Sequence, residues 1–205
     1  MISEPISAKE NAMLQQTGNK FEVSTSDLQF AARCVADAIR TVLEEFGSDP
    51  EWRGRSGCYF CLASENRLLV PAQPMICLVE PIGPIPSDKA LKYFGLCQEK
   101  AIRLAEQREL HGHHSSYQSR VPEQGKYGGA ICVDRMIWSC SGFSDQGDEM
   151  VMLLAARYFL IGSPNQIAAV SRCQLIAKLS SNPYWDRFAS QFTAEAFDIK
   201  SSTNT

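Results

Sequence analysis

One periodic apolar stripe constrains the fold of this chain more than any other feature of its sequence. Its members recur at steps of three and four residues: Leu28, Ala32, Val35, Ile39, Val42 and Phe46. This spacing is typical of one face of an α-helix. Ser24 and Asp27 supply capping oxygens at the start, and Gly47 is expected to end the helix in the left-handed conformation. Because such a face must cover a second layer, Ile39→Ala is expected to cost ~2–5 kcal/mol if Ile39 is fully buried.

Short apolar runs bounded by turn-forming residues predict β-strands. They are residues 58–63, 68–70, 75–79, 128–133 and 136–143. The last two flank Asp134 and Arg135, which predicts a hairpin. The proline-rich segment 80–86 is expected to leave the sheet, because proline donates no backbone hydrogen bond.

Three more segments have helical periodicity, namely residues 87–109, 147–161 and 167–179. We expect Ser87 and Asp88 to cap the first of them. Ser163 and Gln166 have the spacing of a capping box for the last. A short helical piece is expected within residues 184–197.

The order of these elements predicts one α+β domain. The chain has 205 residues, of which 44% are apolar, and this length can bury one sizeable core. We divide it into a flexible amino-terminal arm (1–23), the α+β domain (24–162) and a carboxy-terminal helical extension with its tail (163–205).

Charge and hydropathy restrict the partners and the compartment. The 20 basic and 23 acidic side chains nearly cancel, and no block of like charges would attract nucleic acid. The apolar run around residues 150–161 is interrupted by Arg157 and is shorter than the ~20 residues of a membrane span. The amino terminus has no apolar run of signal-peptide type, so we expect a cytoplasmic protein whose eight cysteines are reduced.

Four short motifs occur in a characteristic order: Lys100-Ala101 with Ala105, Gly128-Gly129-Ala130-Ile131, Ser141-Gly142, and Asp148-Glu149. Over about residues 27–160 this order resembles the GlcG/HbpS family. The chain departs from the family pattern at Ala130, where the family has proline, and at Arg135, where the family's hairpin turn has glycine. The resemblance implies a profilin-like layered fold, an antiparallel sheet packed with helices, assembled into homo-oligomers. It also implies haem or a corrinoid as a candidate cofactor, without fixing a metal ligand.

The histidines and paired glycines of the second half provide the candidate site. The histidines follow a predicted helix, and an imidazole can ligate haem iron or a divalent metal. The glycines remove side chains at two adjoining strand ends, where a ligand could approach the backbone closely. The predicted cofactor-binding residues are His113, His114, Gly128, Gly129, Ser141 and Gly142. Two plainer interpretations stay open, a solvated loop for the histidines and tight packing of sheet against helix for the glycines.

Other candidate chemistry has a structural explanation. Cys58 and Cys61 have the spacing of a zinc or redox half-site, but three positions along a strand place them on opposite faces. Asp148 and Glu149 are expected to stabilise the positive end of a helix rather than to act as acid and base.

These features favour a noncatalytic small-molecule-binding module on an oligomeric scaffold, with haem or a related tetrapyrrole as a candidate ligand. One alternative is a structural or interaction protein without a cofactor. Another is an enzyme that uses the pocket at the hairpin end, which is the least favoured class because no nucleophile and base can be paired.

The tail holds aromatic residues whose apolar side chains are expected to be buried: Tyr184, Trp185, Phe188, Phe192 and Phe197. They pack on the domain or at a subunit contact, and we expect a homodimer or a higher homo-oligomer.

Overall fold

The computed structural model describes residues 23–64, 75–161, 163 and 165–188. The predicted arm apart from Val23, the predicted strand at 68–70, and Phe192 and Phe197 of the tail lie outside these residues. Within them the predicted α+β class is confirmed, since helices pack on a four-stranded antiparallel sheet. None of the described helices is long and apolar enough to cross a membrane.

The first helix, α1 (Thr25–Phe46), follows the predicted stripe. Ser24 is its N-cap, because its hydroxyl accepts a hydrogen bond from the amide of Asp27 at 3.1 Å, and the Asp27 carboxylate accepts one from the Ser24 amide at 3.2 Å. The prediction of a left-handed Gly47 is wrong. This residue keeps a right-handed φ of −61°, and its amide still donates to the carbonyl of Leu43, so the helical geometry runs into the next turn.

Four strands form one sheet in the order β2-β1-β4-β3. Their bounds are β1 (Cys58–Ser64), β2 (Met75–Ile82), β3 (Ala130–Val133) and β4 (Met136–Ser141). The predicted hairpin is confirmed, and both turn residues, Asp134 and Arg135, have positive φ values of 49° and 65°. That pattern is typical of a type I′ turn, whose twist matches the strands that flank it.

The expectation that the chain leaves the sheet at residue 80 is wrong, because β2 continues through Pro81 to Ile82. Since β2 is an edge strand, it tolerates a proline that would interrupt a central strand. The next helix, α2 (Ser87–His111), has Pro86 at its N-cap position and no capping side chain, so Ser87 and Asp88 lie inside the helix.

Two apolar clusters lie on opposite faces of the sheet. On one face α2 contributes Ala101 and Leu104 against Cys61 of β1. On the other face α1 and α3 (Asp145–Leu160) pack against alternate strand residues such as Phe60. The predicted core residues are buried, apart from Leu28, which is half-buried: Val35, Ile39, Leu104, Ile131, Val133 and Ile137.

The next helix, α4 (Gln166–Leu179), packs on α3. A further helical stretch is described at residues 185–188, within the range where a short helical piece was predicted. The predicted capping box at Ser163 does not form. Asn165 occupies the N-cap position, and its side-chain amide donates instead to the Asp134 carboxylate in the hairpin turn at 2.9 Å. Beyond α4 the aromatic rings of Tyr184 and Phe188 lie 5.0 and 5.6 Å from that of Phe46, so these tail aromatics pack on the domain.

Replacing Ile39 with alanine is expected to lower the free energy of unfolding by about 2–3 kcal/mol. Ile39 is 5% exposed and borders a groove of about 440 Å³ also lined by Leu43 and Ile82, so the new cavity joins a space that water reaches. Chemical denaturation measures the change. The matched substitution Ile167→Ala, at a side chain 81% exposed, is expected to cost less than about 0.5 kcal/mol. Equal effects of the two substitutions would contradict the packing of α1.

Candidate functional site

Motif residues from α2, α3 and the hairpin meet at one end of the sheet. The ammonium of Lys100, on α2, lies 2.7 Å from a carboxylate oxygen of Asp148, on α3. It also donates a hydrogen bond to the carbonyl of Cys140 in β4 at 3.0 Å. The side chains of Lys100 and Asp148 are only 1% and 2% exposed. A buried ion pair therefore joins helices from the two faces of the sheet.

The second carboxylate oxygen of Asp148 holds the turn between β4 and α3. It accepts hydrogen bonds from the backbone amides of Gly142 at 3.1 Å and Phe143 at 2.9 Å. Burial alone would lower the pKa of Lys100, but the adjacent Asp148 carboxylate reverses this effect and raises the pKa above its ordinary value. Lys100 is therefore a cation that fixes Asp148 and, through Asp148, the backbone of this turn.

The predicted glycine positions lie together as expected, but protein atoms fill the space beside them. Gly129 has a φ of +113°, and a Cβ added there would lie 2.5 Å from the Cβ of Asp148. A Cβ at Gly142 would lie 2.3 Å from the carbonyl oxygen of Gly57, and one at Gly128 would lie 2.8 Å from the ring of Tyr117. Ser141 is buried beside them. These contacts correspond to the tight packing that the sequence left open.

Glu149 occupies a second buried polar centre on the same helix. Its carboxylate accepts hydrogen bonds from the hydroxyls of Ser115 and Ser180 and, at 3.0 Å, from the side-chain amide of Asn182. Burial raises the pKa of the Glu149 carboxyl above its ordinary value, although these three donors favour its ionised form. Asp148 and Glu149 are thus buried anchors, and helix-dipole stabilisation alone does not explain them.

The polar segment after α2 is buried at Ser115 and Ser116, whereas residues such as Gln118, Arg120 and Lys126 are exposed. Ser115 and Ser116 are fully buried, and Ser115 forms an isolated antiparallel bridge with Ile131 of β3. The buried guanidinium of Arg103 donates hydrogen bonds to the carbonyls of Ser116 at 2.9 Å and of Tyr127. One arginine of α2 therefore organises both ends of this segment.

The predicted histidines lie toward the opposite end of the hairpin from Gly129. The carbonyl of His114 accepts a hydrogen bond from the amide of Cys132 at 2.9 Å, three positions along from Gly129. The His114 ring lies between two arginines, with Nδ1 2.6 Å from Arg108 and Nε2 3.1 Å from Arg172. The structure does not bring the histidines and the paired glycines into one site.

This arrangement does not fit a haem or a corrinoid. Axial ligation needs a ring nitrogen that opens onto a flat apolar cavity, whereas both ring nitrogens of His114 face guanidinium groups. Burial and then the neighbouring His111 lower the pKa of His113, so its ring is neutral at neutral pH. Its Nδ1 is buried and has no hydrogen-bond partner among the described residues. The apolar groove beside α1 and the polar cleft described next contain no histidine in their described lining.

A polar cleft of about 250 Å³ opens beside Gly142. Its described walls come from the segment before β1, the loop after β2, the first turns of α2 and the β4–α3 turn. Three cationic side chains line it: Arg53, Arg55 and Lys89. The Arg55 guanidinium donates to the Gly142 carbonyl at 3.2 Å. Glu51, the one carboxylate of the described lining, accepts a hydrogen bond from the Tyr184 hydroxyl.

Sequence reasoning missed this cleft, apart from Gly142, because its cations lie in segments far apart in the chain. Arg53 and Arg55 precede β1, whereas Lys89 lies more than thirty residues later in α2. Only the polar character of the segment before β1 signalled an exposed loop. The excess of three cations over one acid gives this cleft the charge expected for an anion-binding site.

Seven of the described cysteines are buried as apolar core residues, whereas Cys77 on the edge strand β2 is half-buried. Cys58 and Cys61 belong to the two opposite apolar clusters, as their spacing predicted. Burial raises the pKa of Cys34 to about 11 and that of Cys97 to about 12, so these groups are thiols at neutral pH. In the part of the chain that the structure describes, no three His, Cys, Asp or Glu side chains converge as a metal site.

Comparisons of the chain with family models, with curated proteins and with solved structures give no match.

Proposed function

We propose that this protein is a noncatalytic binding module for a small anionic molecule carrying a carboxylate or a phosphate group. The observation that carries the proposal is the cationic cleft beside Gly142, which is lined by Arg53, Arg55 and Lys89. Guanidinium and ammonium groups form charge-assisted hydrogen bonds with such anions, and arginine binds them with two parallel donors.

A series of contacts connects the cleft to the buried Lys100–Asp148 ion pair. Lys100 fixes Asp148, Asp148 holds the amide of Gly142, and the Gly142 carbonyl accepts a hydrogen bond from Arg55. Lys89 lies in the first turn of α2, where the helix dipole adds positive potential. Arg55 is therefore held in position before a ligand group enters.

The size of the cleft restricts the ligand. Its volume of about 250 Å³ is below the ~300–1,000 Å³ that is typical for drug-sized ligands. The ligand is accordingly a small acid or phosphate, or a larger molecule of which only the acidic group enters. A tetrapyrrole belongs to this second class through its carboxylates alone.

Binding is favoured over catalysis because the cleft supplies charge and donors without a paired nucleophile and base. The hydroxyl of Ser56 donates to the carbonyl of Pro84 at 3.4 Å, and the Glu51 carboxylate is engaged by Tyr184. These hydrogen bonds fix the walls of the cleft, and neither of them activates a nucleophile.

The double substitution Arg53→Ala with Lys89→Ala is expected to weaken anion binding at least about tenfold, which is ~1.4 kcal/mol. Isothermal titration calorimetry with inorganic phosphate, succinate and haem as separate probes measures the affinity, and added salt is expected to weaken it. The matched double variant Arg40→Ala with Lys178→Ala removes the same charge from exposed positions outside the cleft.

The proposal requires saturable binding of at least one probe in the natural chain and a selective loss in the cleft variant. Equal losses in the two double variants would show that net charge alone attracts the anion. Absence of saturable binding for phosphate, succinate and haem would favour an interaction protein without a small-molecule ligand. Haem binding that survives the cleft substitutions would contradict the assignment of the cleft.

A further inference from the structure

The outward face of α2 is apolar along its middle, although its other face already packs on the sheet. Leu91, Phe94 and Ile102 are 82%, 40% and 38% exposed. Leu91, Gly95 and Ile102 follow each other at steps of four and seven residues, so they lie in one line along the helix. This line, with Phe94 on its flank, is called the α2 stripe below.

Gly95 leaves one position of the α2 stripe without a side chain. A Cβ added at Gly95 would meet no atom of the described residues within 4 Å, so the described part of the fold does not require glycine there. Glycine within a helix is unfavourable relative to alanine or glutamine. An exposed glycine in the middle of a 25-residue helix is explained if another backbone or a bulky side chain approaches it closely.

The geometry points to a second copy of this chain as the partner: we propose that two copies pair through antiparallel α2 helices. A twofold axis between Gln98 and Glu99 places Ile102 of each copy over Gly95 of the other, because these two positions are equally far from the axis. A twofold contact of this kind is self-complementary and closed, as in most soluble dimers.

Charges beside the α2 stripe agree with this antiparallel register. Lys92 and Glu106 lie on the same flank of the helix and nearly equally far from the proposed axis. The rotation preserves the flank, so Lys92 of each copy lies beside Glu106 of the other. Glu99 lies next to the axis, but its carboxylate is engaged by Arg103 at 2.6 Å, which reduces repulsion from its symmetry mate.

Sedimentation velocity of the full chain across a concentration series tests the pairing. We expect a mass twice that of the 22.8 kDa chain, with a fraction that falls on dilution. Gly95→Gln is expected to weaken the dimer at least about tenfold, although it improves the helix propensity of α2. Loss of pairing with unchanged or higher thermal stability separates a blocked contact from a damaged fold.

Charge reversal tests the register. Lys92→Glu and Glu106→Lys are each expected to raise the dimer dissociation constant at least about tenfold, and the double variant is expected to restore it to within about threefold. Ile167→Lys, at an exposed apolar residue of α4, is the control and leaves the dimer unchanged. A natural chain that sediments as a monomer throughout the series would overturn the proposal. So would a dimer indifferent to Gly95→Gln, or two single variants without mutual rescue.

Discussion

Replacing Lys100 with methionine is expected to lower the free energy of unfolding by about 3–5 kcal/mol at neutral pH. Methionine has a similar length, so the main change is the loss of the cation that Asp148 faces at 2.7 Å. The Asp148 carboxylate then stays buried without a counter-charge, which is costly in a medium of low dielectric constant. Urea denaturation of the natural chain and the variant measures the difference.

The pH dependence of the stability of Lys100→Met tests whether the unpaired Asp148 carboxylate causes the loss. Burial raises the pKa of Asp148 above its unfolded value near ~3.9 even opposite Lys100. Loss of the Lys100 cation is expected to raise this pKa further. A carboxyl with a raised folded-state pKa stabilises the fold below its unfolded pKa and loses this contribution as pH rises through the folded-state value. The deficit of Lys100→Met is therefore expected to be small at about pH 4 and largest above neutrality.

Two comparisons make this result specific. Adding Asp148→Asn to Lys100→Met is expected to recover much of the loss, because asparagine is neutral and its carbonyl can still accept from the amides of Gly142 and Phe143. Lys178→Met changes an exposed lysine and is expected to stay within about 0.5 kcal/mol of the natural chain. A Lys100→Met variant as stable as the Lys178→Met control at neutral pH would show that the buried pair does not support the fold.

Elements with local patterns were predictable from the sequence. The stripe from Val35 to Phe46 gave α1, since helical periodicity is a property of neighbouring residues. The β3–β4 hairpin was predictable because short apolar runs flank two residues that accept positive φ. Element ends were less certain: β2 extends to Ile82 because its edge position tolerates a proline, which the sequence does not reveal.

The Lys100–Asp148 pair was not predictable, because it joins residues 48 positions apart in the chain. A lysine on a helix is normally solvated, and the sequence does not show that α3 is buried on almost every side. The resemblance had drawn attention to Lys100, Gly129, Gly142 and Asp148 as motif residues. The structure shows that they meet at one end of the sheet, which accounts physically for glycine at the two middle positions.

The prediction that the histidines reach the glycine end of the hairpin was wrong because of the direction in which the chain runs. The segment after α2 runs antiparallel to β3, with Ser115 opposite Ile131. Serines therefore lie nearest the glycine end, and His114 lies beside Cys132. Sequence order gave the correct neighbouring strand but not the position along it, since register depends on contacts such as those of Arg103 with Ser116 and Tyr127.

Replacing Glu149 with alanine is expected to lower the free energy of unfolding by about 2–4 kcal/mol. Its carboxylate accepts from Ser115, Ser180 and Asn182, and these donors come from the segment after α2 and the segment after α4. Alanine leaves an empty space and buried donors without this acceptor, although the Ser180 hydroxyl can still donate to the Ile176 carbonyl. Glu149→Gln retains one carbonyl acceptor and is expected to cost less than half as much.

The glutamine variant also separates burial from hydrogen bonding through its pH dependence. Because burial raises the pKa of Glu149 above its unfolded value near ~4.3, the natural chain loses stability from this residue as pH rises through the folded-state pKa. Glu149→Gln lacks this loss, so its stability relative to the natural chain is expected to improve between about pH 4 and pH 8. Glu123→Gln, at an exposed position, is the control and gives a curve parallel to that of the natural chain. Parallel curves for Glu149→Gln as well would mean that the buried carboxylate titrates as it does in the unfolded chain.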